Sequence, residues 1–100
     1  MLNQVVLVGR ITENPKLKQL EDIRGARITL AVQRSYKNSE GVYDTDFIPI
    51  QLWNGIAENT CEYCKKGDIV GVKGRLEFKN NQIIVVAEKL TFLSSKKEND

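Results

Sequence analysis

Three aromatic side chains, Tyr36, Phe47 and Trp53, sit among polar and basic residues rather than aliphatic ones. In the stretch around Phe47 and Trp53, the alternate positions Ile48, Ile50 and Leu52 already supply an aliphatic face. Side chains two apart on a strand share a face, so Phe47, Gln51 and Trp53 lie opposite that set. Aromatics on a polar strand face make platforms for unpaired bases, because every base has a π-face to stack. The competing reading is ordinary core or subunit-interface packing. Cations interleave with the aromatics. Arg34 and Lys37 bracket Tyr36, Lys73, Arg75 and Lys79 alternate along a later segment with Glu77 among them, and Arg10 closes the first strand. So placed, they can track a phosphate backbone between stacked bases. Taken alone, scattered Lys and Arg describe a solvated face.

Other chemistries find less support. Cys61-Glu62-Tyr63-Cys64 has the C-x-x-C spacing of a redox pair, but such pairs open a helix after a strand. Here the pair falls near the end of the expected helix, on its inward stripe, and reads as structural thiols. The chain has no histidine, which excludes histidine-based catalysis and His-ligated zinc. Asp44 and Asp46 precede a strand and are expected to pair with nearby Lys or Arg. Gly71 and Gly74 lie inside a strand pattern, where glycine marks a bend or bulge rather than a phosphate loop. No catalytic constellation emerges, and no metal or cofactor is expected.

The elements that position these residues follow from periodicity. Residues 3–9 form a β-branched run ending in Gly9, expected as a strand buried on both faces. Thr12-Glu13-Asn14-Pro15 makes a turn. Ala26, Ile28, Leu30 and Val32 alternate with Arg27, Thr29, Ala31 and Gln33, as in a half-buried strand over 26–34. After the turn Asn38-Ser39-Glu40-Gly41, a third strand runs from about Asp44 to Trp53, with Pro49 pointing to an edge or a bulge. A single helix is expected over 55–66, capped by Asn54, with Lys65 and Lys66 in its last turn and Gly67 after it. Ile56, Thr60, Cys61 and Cys64 form its inward stripe. Ile69 to Phe78 is a fourth strand, with Val70, Val72, Leu76 and Phe78 on one face. Asn80-Asn81 closes a tight hairpin to a fifth strand over 82–90. Five strands with one helix between the third and fourth is the plan of an all-β OB-fold, a Greek-key barrel that binds oligonucleotides or oligosaccharides.

Composition is compatible with that plan. One hundred residues make one domain with one core, expected over residues 1–93 with a mobile polar tail at 94–100. No apolar run approaches the ~20 residues of a membrane helix, and the N-terminus has no signal-peptide pattern. The cytoplasm, in association with the nucleoid, is the expected location. A net charge of +2 is too small to argue for nucleic acid by itself, so the case rests on where charges and aromatics sit.

In order along the chain, the residues resemble the DNA-binding domain of bacterial single-stranded DNA-binding proteins. Leu2-Asn3-Gln4-Val5-Val6-Leu7-Val8-Gly9-Arg10 resembles that family's first strand, and Asn14-Pro15-Lys16-Leu17-Lys18 its following loop. Ile28-Thr29-Leu30-Ala31-Val32, Asp46-Phe47-Ile48, Ala57-Glu58, Tyr63-Cys64-Lys65-Lys66-Gly67 and Val72-Lys73-Gly74-Arg75-Leu76 resemble its later segments. The resemblance spans about residues 1–93. It implies sequence-independent binding and protection of single-stranded DNA in replication, recombination or repair, with base stacking on Tyr36, Phe47 and Trp53. It also implies a homotetramer, or a dimer, paired partly through first strands, for which Val5 to Val8 is the exposed edge.

Three departures stand out. The family's stacking aromatic on the last hairpin is matched nearest by Asn81, with Phe78 three residues earlier as either core or binding residue. The hairpin is cut to a two-residue turn. The acidic, Phe-ended tail is missing, so tail-mediated recruitment of repair enzymes is not expected. An alternative reading is a primosomal-replication-type OB protein acting mainly as a dimeric protein-interaction hub. A cold-shock-like RNA-binding role and an oxidoreductase using Cys61 and Cys64 rank behind it.

Overall fold

The computed structural model describes residues 1–95. Its elements run β1 (Val5–Ile11), β2 (Lys18–Leu20), β3 (Ile23–Lys37), β4 (Tyr43–Trp53), α1 (Asn54–Tyr63), β5 (Ile69–Lys79) and β6 (Gln82–Ser94). The hydrogen-bonded order is β1-β5-β6-β4-β3-β2, and β1 also pairs with β3 at Arg10–Ala31 and Ile11–Leu30. That second pairing closes the five long strands into a barrel, with a short parallel contact between β4 and β6 at Ile50–Val85 and Gln51–Val86. This is the expected OB-fold Greek-key barrel with one helix between its third and fourth long strands. β2 is an addition: three residues annealed antiparallel to the start of β3, too short to show any alternation.

The core follows from the inward positions. Ile28 and Leu30 of β3, Ile50 and Leu52 of β4, and Val70 and Val72 of β5 are fully buried or nearly so. The helix packs on β3, β4 and β6 and buries Ala57 and Thr60, with Cys64 just beyond it. Gly74 lies at a register shift in the β5–β6 ladder, and a Cβ there would fall on the Val86 carbonyl. Glycine is the residue that lets the two backbones approach at this bend.

Several expectations are corrected. β1 is not buried on both faces: Val6 and Val8 are 68% and 55% exposed, while Val5, Leu7, Gly9 and Ile11 face inward. A run of β-branched residues hides such alternation. The helix ends at Tyr63, three residues before the expected end at Lys66, and neither lysine lies in its last turn. Its N-cap is Trp53 with no side-chain bond, and Asn54 instead takes a left-handed φ of 49°. Gly67 does have positive φ, but in the following turn, where the Asp68 carboxylate accepts the Lys65 N–H at 2.9 Å. Leu76 and Phe78 share the inward parity of β5 but lie beyond its last pair with β1, Val5–Gly74, so they are 43% and 70% exposed and Phe78 is not core.

The turns follow their expected chemistry. Asn38 Oδ1 accepts the N–H groups of Glu40 and Val42, and Gly41 takes φ of 79°. Asn80 and Asn81 both take left-handed φ between the paired residues Lys79 and Gln82. Pro49 faces solvent where β4 pairs with β3 alone, one residue before its contact with β6 begins, which makes it an edge position. β6 runs on to Ser94. Residues 96–100 of the expected mobile tail lie outside the described residues. No helix among the described residues is long and apolar enough to cross a membrane.

Candidate functional site

Residues paired across a ladder carry their side chains to the same face. In β3 and β4 the pairs Gly25–Trp53, Arg27–Gln51, Thr29–Pro49 and Ala31–Phe47 all point out of the barrel. The parallel contact Gln51–Val86 continues this face onto β6, and Arg75–Val86, Glu77–Ile84 and Lys79–Gln82 continue it onto β5. Four strands thus bring Phe47, Gln51, Trp53, Arg75 and Lys79 of the predicted set onto one outer sheet face.

Phe47 is 65% exposed, with no aliphatic cover to explain it as core. Trp53 is half-buried, and its indole lies over the backbone of Gly25, where a Cβ would stand only 2.8 Å from ring atom Cζ3. Gln51 Nε2 donates to the carbonyls of Ala26 at 3.1 Å and Leu52 at 3.2 Å. Its amide is engaged with backbone and spaces the two aromatics. Lys79 Nζ stands 6.0 Å from the Trp53 ring centroid, the outer limit of a cation–π contact. Arg75 donates from Nε to Glu77 at 2.9 Å and from Nη1 to Glu88 at 3.3 Å. These bonds raise the Arg75 pKa, and the Arg75 bond holds the Glu77 carboxyl below the usual range.

The other predicted residues are placed differently. Arg10 belongs to the row Arg10–Ala31–Phe47, but its Nη1 donates to the Gly67 carbonyl at 2.6 Å and ties β1 to the turn after the helix. Lys37 pairs with Tyr43 and sits 5.7 Å over its ring, on the Phe47 side of the hairpin. Tyr36, one residue earlier, lies in the irregular stretch between Gln33 and Lys37, near Arg34, and has no partner on β4 that would set it in register with Phe47 and Trp53. Arg34 grips Asp46 with Nε and Nη2 at 3.0 and 2.9 Å, and its Nη1 lies 3.7 Å from Asp44. The expected pairing of both aspartates is therefore present. It holds the Asp46 carboxyl below its ordinary range and raises the Arg34 pKa. Lys73 lies across the register shift, opposite Lys89 and Val6, on the β1 side of the barrel.

Three cations and one aromatic that the residue pattern does not single out also belong to the Phe47–Trp53 face and its surroundings. A groove of about 430 Å³ opens beside Trp53, lined by Lys16, Lys18, Ile23, Arg27 and Gln51 among others. Its wall is fixed by Asn14, whose Oδ1 accepts the Lys66 N–H at 2.8 Å. The basic residues after Pro15 were the available signal. Tyr43, 43% exposed, lies one residue before the expected start of its strand. The Cys61 and Cys64 thiols are free, Cys61 half-buried and Cys64 buried, and desolvation raises both pKa values, which disfavours the thiolate. No group of three or more His, Cys, Asp or Glu placed to hold a metal occurs among the described residues.

Comparison with known proteins matches residues 2–89 to the single-strand binding protein family. Single-stranded DNA-binding protein 1 of Clostridium acetobutylicum is 41% identical, covering 97% of this chain and 98% of that protein. Single-stranded DNA-binding protein B of Bacillus subtilis is 47% identical over 77% of this chain and 69% of its own length. Among solved structures, the wild-type single-stranded DNA binding protein of Thermus aquaticus superimposes with a TM-score of 0.76 at 31% identity, covering 99% of this chain. This chain spans 44% of that one, a little under half.

Proposed function

The chain belongs to the single-strand binding protein family, and from that premise we propose that it binds single-stranded DNA without sequence preference and protects it during replication, recombination or repair. The observation that carries this reading is the outer face on which Phe47 stands exposed and Trp53 lies over Gly25 beneath the Lys79 ammonium. Bases stack on Phe47 and Trp53, which lie about 20 Å apart along β4. Arg75, Lys79 and Lys37, with Lys16, Lys18 and Arg27 of the groove, follow the phosphates. Tyr36, Arg34 and Lys73 serve a strand that leaves this face around the hairpin or the β1 side. Stacking contributes roughly 1–3 kcal/mol per base, so the aromatics dominate affinity at a net charge of only +2.

The working unit is a homo-oligomer in the cytoplasm, a tetramer or a dimer, in association with the nucleoid. The edge of β1 supports this. It pairs with β3 only at Arg10 and Ile11, and Val6 and Val8 face outward beside it. Titration of Trp53 fluorescence with oligo-dT and with a matched duplex tests the binding. Saturating quenching by the single strand, with modest salt dependence, is expected. No quenching, or equal loss with duplex that vanishes in salt, sinks the proposal.

A further inference from the structure

Glu77 sits among the cations that the proposed function assigns to phosphate. Its carboxylate accepts from Arg75 Nε at 2.9 Å and lies 2.8 Å from Nη2, and its second oxygen lies 3.4 Å from Lys79 Nζ. Glu88 takes the remaining Nη1 of Arg75. The Nε–Nη2 edge is one that can grip a phosphate with two parallel bonds, and here a carboxylate already fills it. The Glu77 side chain is 26% exposed, against 40% for Arg75 and 54% for Lys79, so it is the covered member of the group. Lys79 is also the cation over Trp53. A phosphate arriving beside a base stacked on Trp53 therefore meets cations that are already engaged.

Resting on single-strand binding by this face, we infer that Glu77 is a specificity-determining residue, an internal competitor for backbone phosphate that biases the face toward unpaired bases. When Arg75 leaves Glu77 for a phosphate, the vacated carboxylate must recruit a cation, which cancels part of the counter-ion release that drives charge-based binding. Duplex offers this face little besides charge. A single strand also stacks, and stacking is untouched by Glu77. The carboxylate thus costs duplex binding more, because each phosphate contact releases about 0.9 counter-ion from duplex and only about 0.7 from a single strand.

The test measures binding of oligo-dT and a matched duplex, across a salt series, by the wild type, Glu77→Gln, Arg75→Ala and the double variant. Glu77→Gln should bind duplex roughly three- to tenfold tighter and oligo-dT tighter by a smaller factor. On single strands the log–log salt slope should steepen by about 0.7 per cation freed. In the Arg75→Ala background the gain should fall below half its logarithmic size, because the cation being released is gone. Unchanged affinities, a larger gain for oligo-dT than for duplex, or a gain undiminished without Arg75 would each overturn the inference. Glu88→Gln, which frees only the 3.3 Å contact, should shift binding the same way by less, and it carries the test if Glu77→Gln fails to fold. Wild type that binds neither polymer would sink the single-strand reading and this inference with it; wild type that binds normally isolates the inference.

Discussion

Trp53 owes its position to a missing side chain on the neighbouring strand. Gly25 leaves the space in which the indole lies, and Lys79 comes over the ring from two strands away. Trp53→Ala is therefore expected to weaken single-strand binding by about 1–3 kcal/mol, read by anisotropy of a labelled oligo-dT. A folded variant with unchanged affinity would remove Trp53 from the site. Gly25→Ala should push the indole off its seat and shift its emission, with a smaller loss of affinity. The Arg34–Asp46 pair makes a stability prediction with a definite sign. Arg34 depresses the folded-state pKa of Asp46, so the pair stabilises the fold above the ordinary aspartate range near 3.9 and loses that contribution as pH falls through the lower folded value. Melting temperatures of wild type and Asp46→Asn should differ by a constant amount above about pH 5 and converge below that range. A gap that persists into strong acid would show that the variant acts through something other than this charge.

At the scale of elements, the β5–β6 hairpin carries Arg75, Glu77 and Lys79 beyond the last β1–β5 pair, Val5–Gly74, and its geometry rests on two local devices. Asn80 and Asn81 supply the two left-handed residues of the turn. At the base, Asn3 donates from Nδ2 to the Leu76 carbonyl and accepts the Leu76 N–H, both at 2.8 Å, which adds one rung to the β1–β5 ladder. Asn81→Val forces a β-branched residue into left-handed space and should destabilise the fold by about 1–2 kcal/mol in denaturant unfolding, whereas Asn81→Gly should not. Equal stability of the two variants would mean that the turn changes type. The turn itself was legible because two adjacent asparagines between alternating runs carry a local signal. The exposure of Phe78 was not. Its parity with Val70 and Val72 is real, but parity says which face a residue is on and not where the barrel ends. The helix boundaries failed for a related reason. Asn54, Lys65, Lys66 and Gly67 each suit a helix end, yet the strand leading in and the turn around Asp68 leave room for only 10 helical residues.

At the scale of the molecule, the barrel closes through only two residue pairs between β1 and β3, and the rest of that edge of β1 is open. Exposed β-branched residues beside an open edge are a template for another chain. Val6→Glu should leave the barrel folded, since Val6 is 68% exposed, and shift light-scattering mass toward the single chain. Affinity for long oligo-dT should then fall more than affinity for short oligo-dT, because avidity along one strand is lost. An unchanged mass would place the subunit contact elsewhere. The succession of the five long strands along the chain, the single helix, the alternating faces of β3 and β4, and the exposed Phe47 were all determined by the sequence itself, because each depends on neighbours within a few positions. The tertiary structure decided the rest. It set Lys79 over Trp53, filled Arg75 with Glu77 and Glu88, took Tyr36 out of register with Phe47, and opened the groove of Lys16, Lys18 and Arg27. Each of these is a distance between segments remote in the chain. Such distances follow from barrel closure and ladder register, which no local pattern of residues encodes.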